Sequence, residues 1–196
     1  MFNKRIIILF IVFILPFCGY GQFLDAENKN IGFEANYGYG FIMPHHKSIE
    51  YILEHHIRTF DLKASFPTYG NKYWNKLYRY PYYGLGYYRS NLGNDKVYGK
   101  VNALYSYIKV PFLGSSEKAN LSCQIAFGAS YITNHFDLEE NPQNLAIGSN
   151  LNIYVDLSLQ SRIPLSKQFS LMNSVRFTHV SNGKVKSHNK GLNVIS

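Results

Sequence analysis

Between residues 147 and 163, apolar and polar positions alternate with a period of two. The odd positions are almost all aliphatic, and the even positions are almost all polar. Because successive side chains of a strand point to opposite faces, this pattern predicts a strand with one apolar and one polar face. Lipid-spanning strands of barrels need about 9–11 such residues. The length of the run therefore favours a membrane barrel over a half-buried sandwich strand or a soluble lipocalin-like barrel.

The same alternation recurs along the rest of the chain and predicts eight strands. Their segments are 31–39, 59–66, 83–88, 97–110, 121–132, 147–163, 169–178 and 191–196. Eight is the smallest usual strand number of a closed outer-membrane barrel. The predicted fold class is therefore all-β, an eight-stranded antiparallel transmembrane β-barrel. At six residues, its last strand is shorter than a spanning strand and is expected to be incomplete.

The N-terminus predicts a secretory signal peptide. Residues 1–5 are short and basic, residues 6–15 are uninterruptedly apolar, and Gly19 and Gly21 supply small residues before a cleavage site. An apolar run of ten residues is too short to span a bilayer as a helix, so a permanent helical anchor is the weaker alternative. The predicted domains are a signal peptide at 1–21 and an outer-membrane barrel at 22–196.

Composition narrows the class further. The chain has 196 residues, of which 16% are charged and 16% aromatic, with 17 Tyr and 14 Phe. Abundant aromatic residues argue against disorder, and outward tyrosines fit the aromatic girdles at the two membrane surfaces. The formal charge of +8 comes from basic residues that are scattered along the chain. The sequence shows no nucleic-acid-binding module.

The connections predict which end of the barrel faces outward. If the first strand starts in the periplasm, the outer connections are 41–56, 90–96, 134–145 and 183–190, and the inner ones are 67–79, 113–118 and 164–168. The seventh strand then ends at the outer surface. On its inward face, Arg176 is predicted to form a salt bridge with Asp156 in the lumen.

One pair of residues on that strand carries chemistry. His179 and Ser181 are two positions apart and therefore share a face, which the alternation makes the lipid face. A neutral imidazole can accept a proton from a neighbouring hydroxyl, which makes serine a nucleophile towards esters. The Asn182 amide is a candidate donor to the resulting oxyanion. The alternative interpretation is a polar strand end that meets lipid headgroups.

These residues lie in a family motif. The segments 179–183 (HVSNG) and 189–193 (NKGLN) resemble those of the lipid A 3-O-deacylase (PagL-type) family of outer-membrane barrels. More specifically, the chain resembles the acyloxyacyl hydrolase-like branch found in Bacteroidetes, also in segments 38–49, 83–88 and 147–152. The resemblance covers nearly all of residues 30–196.

The resemblance implies an esterase of the outer membrane that hydrolyses the 3-O-linked acyl chain of lipid A, and so modifies lipopolysaccharide without a metal or another cofactor. It makes Ser181 the nucleophile, His179 the base and Asn182 an oxyanion donor, with Asn189 in support. The family has an acidic residue at position 193, where this chain has Asn193, and a proline at position 188. Whether the barrel forms a homodimer is left open.

The amide at position 193 raises two alternatives. One is a non-catalytic barrel, structural, adhesive or lipid-binding, with a degenerate site. The other is an acid supplied by a different part of the chain, and the outer loop before the sixth strand offers Asp137, Glu139 and Glu140. A weaker hypothesis is a metal site among the histidines of the first outer connection, which are His45, His46, His55 and His56.

Overall fold

The computed structural model describes residues 31–114 and 119–196. Its eight strands form one closed antiparallel barrel, in which each strand pairs with its neighbours in sequence and β8 pairs with β1. This confirms the predicted fold class. The predicted signal peptide lies outside the described residues and remains a prediction. The strands are β1 (Gly32–Ile42), β2 (Ile57–Pro67), β3 (Tyr82–Asn91), β4 (Lys100–Gly114), β5 (Asn120–Ile132), β6 (Leu151–Pro164), β7 (Ser170–Ser181) and β8 (Leu192–Ile195).

The two faces of each strand meet different surroundings, as the alternation predicted. On β7, for example, Val175 is 62% exposed on the outer wall, whereas the adjacent Arg176 is 4% exposed inside the barrel. Aliphatic and aromatic side chains make up most of the outer wall of the neighbouring strands, including Ile125, Phe127 and Leu157. Burying such a wall in hydrocarbon removes apolar surface from water and so stabilises the barrel in a membrane.

The lumen is filled by a charge-balanced network. Arg176 Nη2 lies 2.6 Å from Asp61 Oδ2, and Arg176 Nε lies 3.2 Å from Asp156 Oδ2, which confirms the predicted pair with Asp156. Tyr105 donates a hydrogen bond to Asp61, and Lys109 forms an ion pair with Glu34. Buried charges are tolerated only when they are paired and hydrogen-bonded, and here the carboxylates of Glu34, Asp61 and Asp156 each have a basic partner within the barrel.

Two short helices lie in the connections. Helix α1 (Lys47–Glu50) follows β1, and helix α2 (Tyr73–Leu77) occupies the connection between β2 and β3. Within residues 31–114 and 119–196, no helix is both long and apolar enough to cross a bilayer. The connections after β1, β3, β5 and β7 share one end of the barrel, and by the usual asymmetry of outer-membrane barrels this end is extracellular.

The predicted strand bounds differ from those of the structure by a few residues, and the differences in β6 and β8 bear on the site. The sixth strand begins at Leu151 rather than at residue 147, because the chain before it leaves the sheet: Ile147 is fully buried beneath the connection after β7. A Cβ on Gly148 would overlap the Ser187 carbonyl oxygen of that connection. The last strand has only four residues, yet it closes the barrel by pairing with β7 and with Phe41 and Ile42 of β1.

Candidate active site

His179 and Ser181 lie on the outer wall where β7 ends. Both side chains are half-buried, and they continue the row of Val175 and Phe177, which also faces outward. The prediction that the two side chains share the outward face of the strand is therefore confirmed. The pair sits at the extracellular end of the barrel, where the outer ends of the strands meet the headgroup region of the outer leaflet.

The histidine is oriented by the neighbouring strand. His179 and Asn193 are register partners across β7 and β8, and His179 Nδ1 lies 2.7 Å from Asn193 Oδ1. Since an amide oxygen only accepts, His179 Nδ1 carries the proton. In a neutral ring this leaves His179 Nε2 unprotonated and able to accept a proton from a nucleophile.

Ser181 and His179 are not hydrogen-bonded to each other, and both lie beside Gly191. Among the described residues, the Ser181 hydroxyl has no hydrogen bond to the His179 ring. Gly191 lies beside both: a Cβ at this position would be 2.8 Å from His179 Cε1 and 3.2 Å from Ser181 Cβ. Its φ of +70° also favours glycine. The missing side chain thus leaves room in which the two groups can approach each other.

Asn182 folds the following loop instead of facing the lipid. As the next residue along the strand it points inward, and it is 4% exposed. Its Oδ1 accepts the Lys184 N–H at 3.0 Å, its Nδ2 donates to the Lys186 carbonyl at 3.4 Å, and its backbone N–H donates to Asn189 Oδ1 at 2.9 Å. The structure therefore does not bring the Asn182 side chain to Ser181, whereas Asn189 supports the loop.

The connection between β5 and β6 packs against the loop between β7 and β8. The His188 ring stacks on Phe136 with 3.6 Å between the ring centroids, and the Gly191 N–H donates to the Ala146 carbonyl at 3.0 Å. His188 adopts a positive φ of 61°, which the proline expected here from the resemblance could not adopt. These contacts hold the backbone that carries Gly191 and Asn193 against the barrel.

A further residue, His45, was not predicted to belong to this site. Asn193 Nδ2 lies 3.2 Å from His45 Nδ1, and His45 Nε2 lies 2.8 Å from the Lys190 carbonyl oxygen. The Met43 N–H also donates to the Asn193 carbonyl at 2.8 Å. Spacing along the sequence does not predict this contact, because the contact depends on the pairing of β8 with β1. The hypothesis of a metal site gains no support: within the described residues, no three His, Cys, Asp or Glu side chains form a metal-binding group.

The acidic outer loop does not reach the histidine. Asp137 Oδ1 accepts the backbone N–H groups of Glu140 and Glu139 at 3.0 and 2.9 Å, which lowers the pKa of the Asp137 carboxyl below its ordinary value. The carboxylate is thus committed to its own turn. His179 Nδ1, where an orienting acid would bind, is occupied by the Asn193 amide.

Comparison with known proteins identifies the family of the chain. The family model described as lipid A 3-O-deacylase (PagL) matches residues 58–196, from β2 to the end of the chain, and so includes both segments of the site. No curated protein and no solved structure matches the chain. The match covers more than half of the sequence, and the closed eight-stranded barrel fits an outer-membrane protein. The chain therefore belongs to the lipid A 3-O-deacylase family of the outer membrane.

Proposed function

We propose that this protein hydrolyses the ester bond of the 3-O-linked acyl chain of lipid A, with Ser181 as nucleophile and His179 as general base. The substrate is a lipid of the outer leaflet. A site on the outer wall near the extracellular end receives such a substrate from within the membrane plane, so the lipid does not have to enter the lumen.

The reaction takes two acyl-transfer steps. Ser181 Oγ attacks the ester carbonyl carbon while His179 Nε2 accepts the hydroxyl proton. The tetrahedral intermediate then breaks the bond to the sugar oxygen, which takes the proton from His179 and leaves as the 3-hydroxyl of lipid A. Water next attacks the acyl-serine with His179 again as base. This step releases the free fatty acid and restores Ser181.

The observation that carries the proposal is the hydrogen bond from His179 Nδ1 to Asn193 Oδ1 on the lipid-facing wall. It selects the ring tautomer that a general base needs, and it does so beside an outward serine. Residues two apart on a strand are about 6.5 Å apart along the chain. Catalysis therefore requires side-chain rotation to bring Ser181 Oγ to His179 Nε2, a tightening that is common when substrate binds. Gly191 provides the space for it.

Stabilisation of the oxyanion is the step that needs the most rearrangement. Asn182 fills this role only if the loop 182–191 rearranges, because its side chain points inward and bonds to the Lys184 N–H and, at 3.4 Å, to the Lys186 carbonyl. Bonds of this length are weak. Binding of the lipid headgroup to the loop 182–191 would then exchange this bond for one to the developing oxyanion.

The test is mass spectrometry of lipid A from cells that express the full chain. We expect loss of one 3-hydroxyacyl chain with the wild-type protein and no loss with Ser181→Ala. The matched control is Ser106→Ala, because Ser106 is an exposed outward serine on β4, away from the site. Unchanged lipid A with the wild-type protein, or equal deacylation by Ser181→Ala, would refute the proposal and favour a non-catalytic barrel.

A further inference from the structure

His45 lies at the end of a chain of hydrogen bonds that begins at the proposed general base. The chain runs from His179 Nδ1 to Asn193 Oδ1 at 2.7 Å, from Asn193 Nδ2 to His45 Nδ1 at 3.2 Å, and from His45 Nε2 to the Lys190 carbonyl oxygen at 2.8 Å. It connects β7, β8 and the loop after β1. It is therefore assembled only when the barrel closes.

The direction of this chain is fixed at its far end. A backbone carbonyl only accepts hydrogen bonds, so His45 Nε2 must carry a proton. In a neutral ring His45 Nδ1 is then an acceptor, and it receives the N–H of the Asn193 amide. This places the amide with its oxygen towards His179, so His179 Nδ1 must donate and His179 Nε2 remains free.

We propose that His45 is a positioning residue that sets the tautomer of His179 by fixing the orientation of the Asn193 amide. The inference rests on the proposed function, since it concerns the same base. An acidic residue at position 193 would accept from His179 with either oxygen and would need no such partner. An amide has one accepting and one donating end, and in the opposite orientation it would donate to His179 Nδ1 and leave the only ring proton on Nε2.

The position of His45 does not depend on this contact alone. Lys190 Nζ donates to Ser48 Oγ at 2.9 Å, which ties α1 to the loop before β8 independently. Ser48→Ala removes a hydrogen bond between the same two loops. It leaves unchanged the hydrogen bonds that lead from His179 through Asn193 to His45, which we call the relay. It is therefore the control that separates a role in orienting Asn193 from a role in docking the loops.

Two substitutions at position 45 distinguish the hydrogen bonding of His45, which orients the Asn193 amide, from the space that the side chain fills. His45→Gln retains one accepting oxygen and one donating amide group, which can replace Nδ1 and Nε2. His45→Leu removes both. Without the orienting hydrogen bond, which is worth about 1 kcal/mol, we expect kcat on purified lipopolysaccharide to fall about five- to tenfold in His45→Leu with little change in KM. We expect His45→Gln to recover most of the rate, and Ser48→Ala to stay within about twofold of the wild type.

Repeating the His45 substitution in an Asn193→Asp variant makes the test specific for the orientation of the amide. In Asn193→Asp, the carboxylate accepts from His179 in any orientation, so His45→Leu should no longer lower kcat. A loss of equal size in the wild-type and Asn193→Asp backgrounds, or the same loss in His45→Gln as in His45→Leu, would show that His45 only packs the loop and would overturn the inference.

A readout that is independent of activity completes the experiment. In the ¹⁵N NMR spectrum of the labelled barrel in detergent micelles, His179 should be protonated at Nδ1 in the wild type and should gain the Nε2-protonated form in His45→Leu. A His179 tautomer that does not respond to His45→Leu would refute the relay, whatever the activity. A tautomer that responds in a protein that leaves lipid A intact would uphold the relay and refute the proposed esterase.

Discussion

Strand β7 presents a basic side chain to each side of the barrel wall, and the two are paired in different ways. Arg176 points inward and binds the carboxylates of Asp61 and Asp156, while His179 points outward and binds the neutral amide of Asn193. The inner pairing places permanent charges together in a closed polar lumen. The outer one orients a ring at the lipid surface without adding a charge there. The inner contacts thus hold the barrel together, whereas the outer one orients the ring that we propose as the proton acceptor.

The largest expected effect breaks the inner pairing. Arg176→Met leaves the buried Asp156 without its cation and Asp61 with Lys63 alone, and removal of one partner from a buried ion pair costs about 3–5 kcal/mol. We expect the free energy of unfolding in urea to fall by this amount for the barrel refolded in lipid vesicles, followed by the fluorescence of the single tryptophan, Trp74. Arg89→Met is the control, because Arg89 is exposed on the outer wall. Equal stability of the two variants would contradict the structural role given to Arg176.

The next largest effect is expected at Gly191, which lies beside His179 and Ser181. In Gly191→Ala the new Cβ would press on His179 Cε1, and the backbone would keep a φ of +70° that costs a non-glycine residue about 1–3 kcal/mol. We expect kcat for lipid A deacylation to fall at least about tenfold while the barrel still closes, because β8 keeps its pairing. Steady-state kinetics measures this, and heat-dependent gel mobility reports closure. Unchanged kcat would mean that His179 and Ser181 do not approach each other through this space.

The smallest effect is expected from a substitution that gives the outer pairing a carboxylate, as in the inner pairing. Asn193→Asp adds a negative charge next to His179, and hydrogen bonds to charged groups are worth about 1 kcal/mol more than neutral ones. The imidazolium formed during catalysis should be stabilised by that amount, so we expect kcat to rise about fivefold. A decrease in kcat would indicate that the neutral amide is required in this chain. Asn193→Ala, which removes the acceptor altogether, should lower kcat instead.

The sequence predicted the faces of the barrel well because a period of two is a local property. Alternation in β6 and β7 placed Val175 and His179 outward and Arg176 inward, and the pairing of Arg176 with Asp156 followed from the requirement that buried charges be paired. The same reasoning extended β6 too far. Ile147 continues the alternation, but there the chain has already left the sheet to pack beneath the loop after β7.

The site was only partly predictable, since local parity says nothing about loops that meet through closure. The sequence suggested His179, Ser181 and position 193, and the structure places all three on the paired strands β7 and β8. It also suggested Asn182 as an oxyanion donor, and the structure instead places this side chain inside the loop that it folds. His45 lies 148 residues before Asn193, and the two meet because β1 and β8 are the closing strands. Only the three-dimensional register reveals such a partner.

Covalent labelling tests the central claim, a nucleophilic Ser181 on the lipid-facing wall, most directly. The purified barrel in detergent micelles would be treated with a lipophilic fluorophosphonate, which reacts with activated serines, and the adduct would be located by peptide mass spectrometry. We expect a single adduct on Ser181 in the wild type and a large loss of its rate of formation in His179→Ala. Absence of an adduct on Ser181, or labelling that is equally fast without His179, would contradict the account.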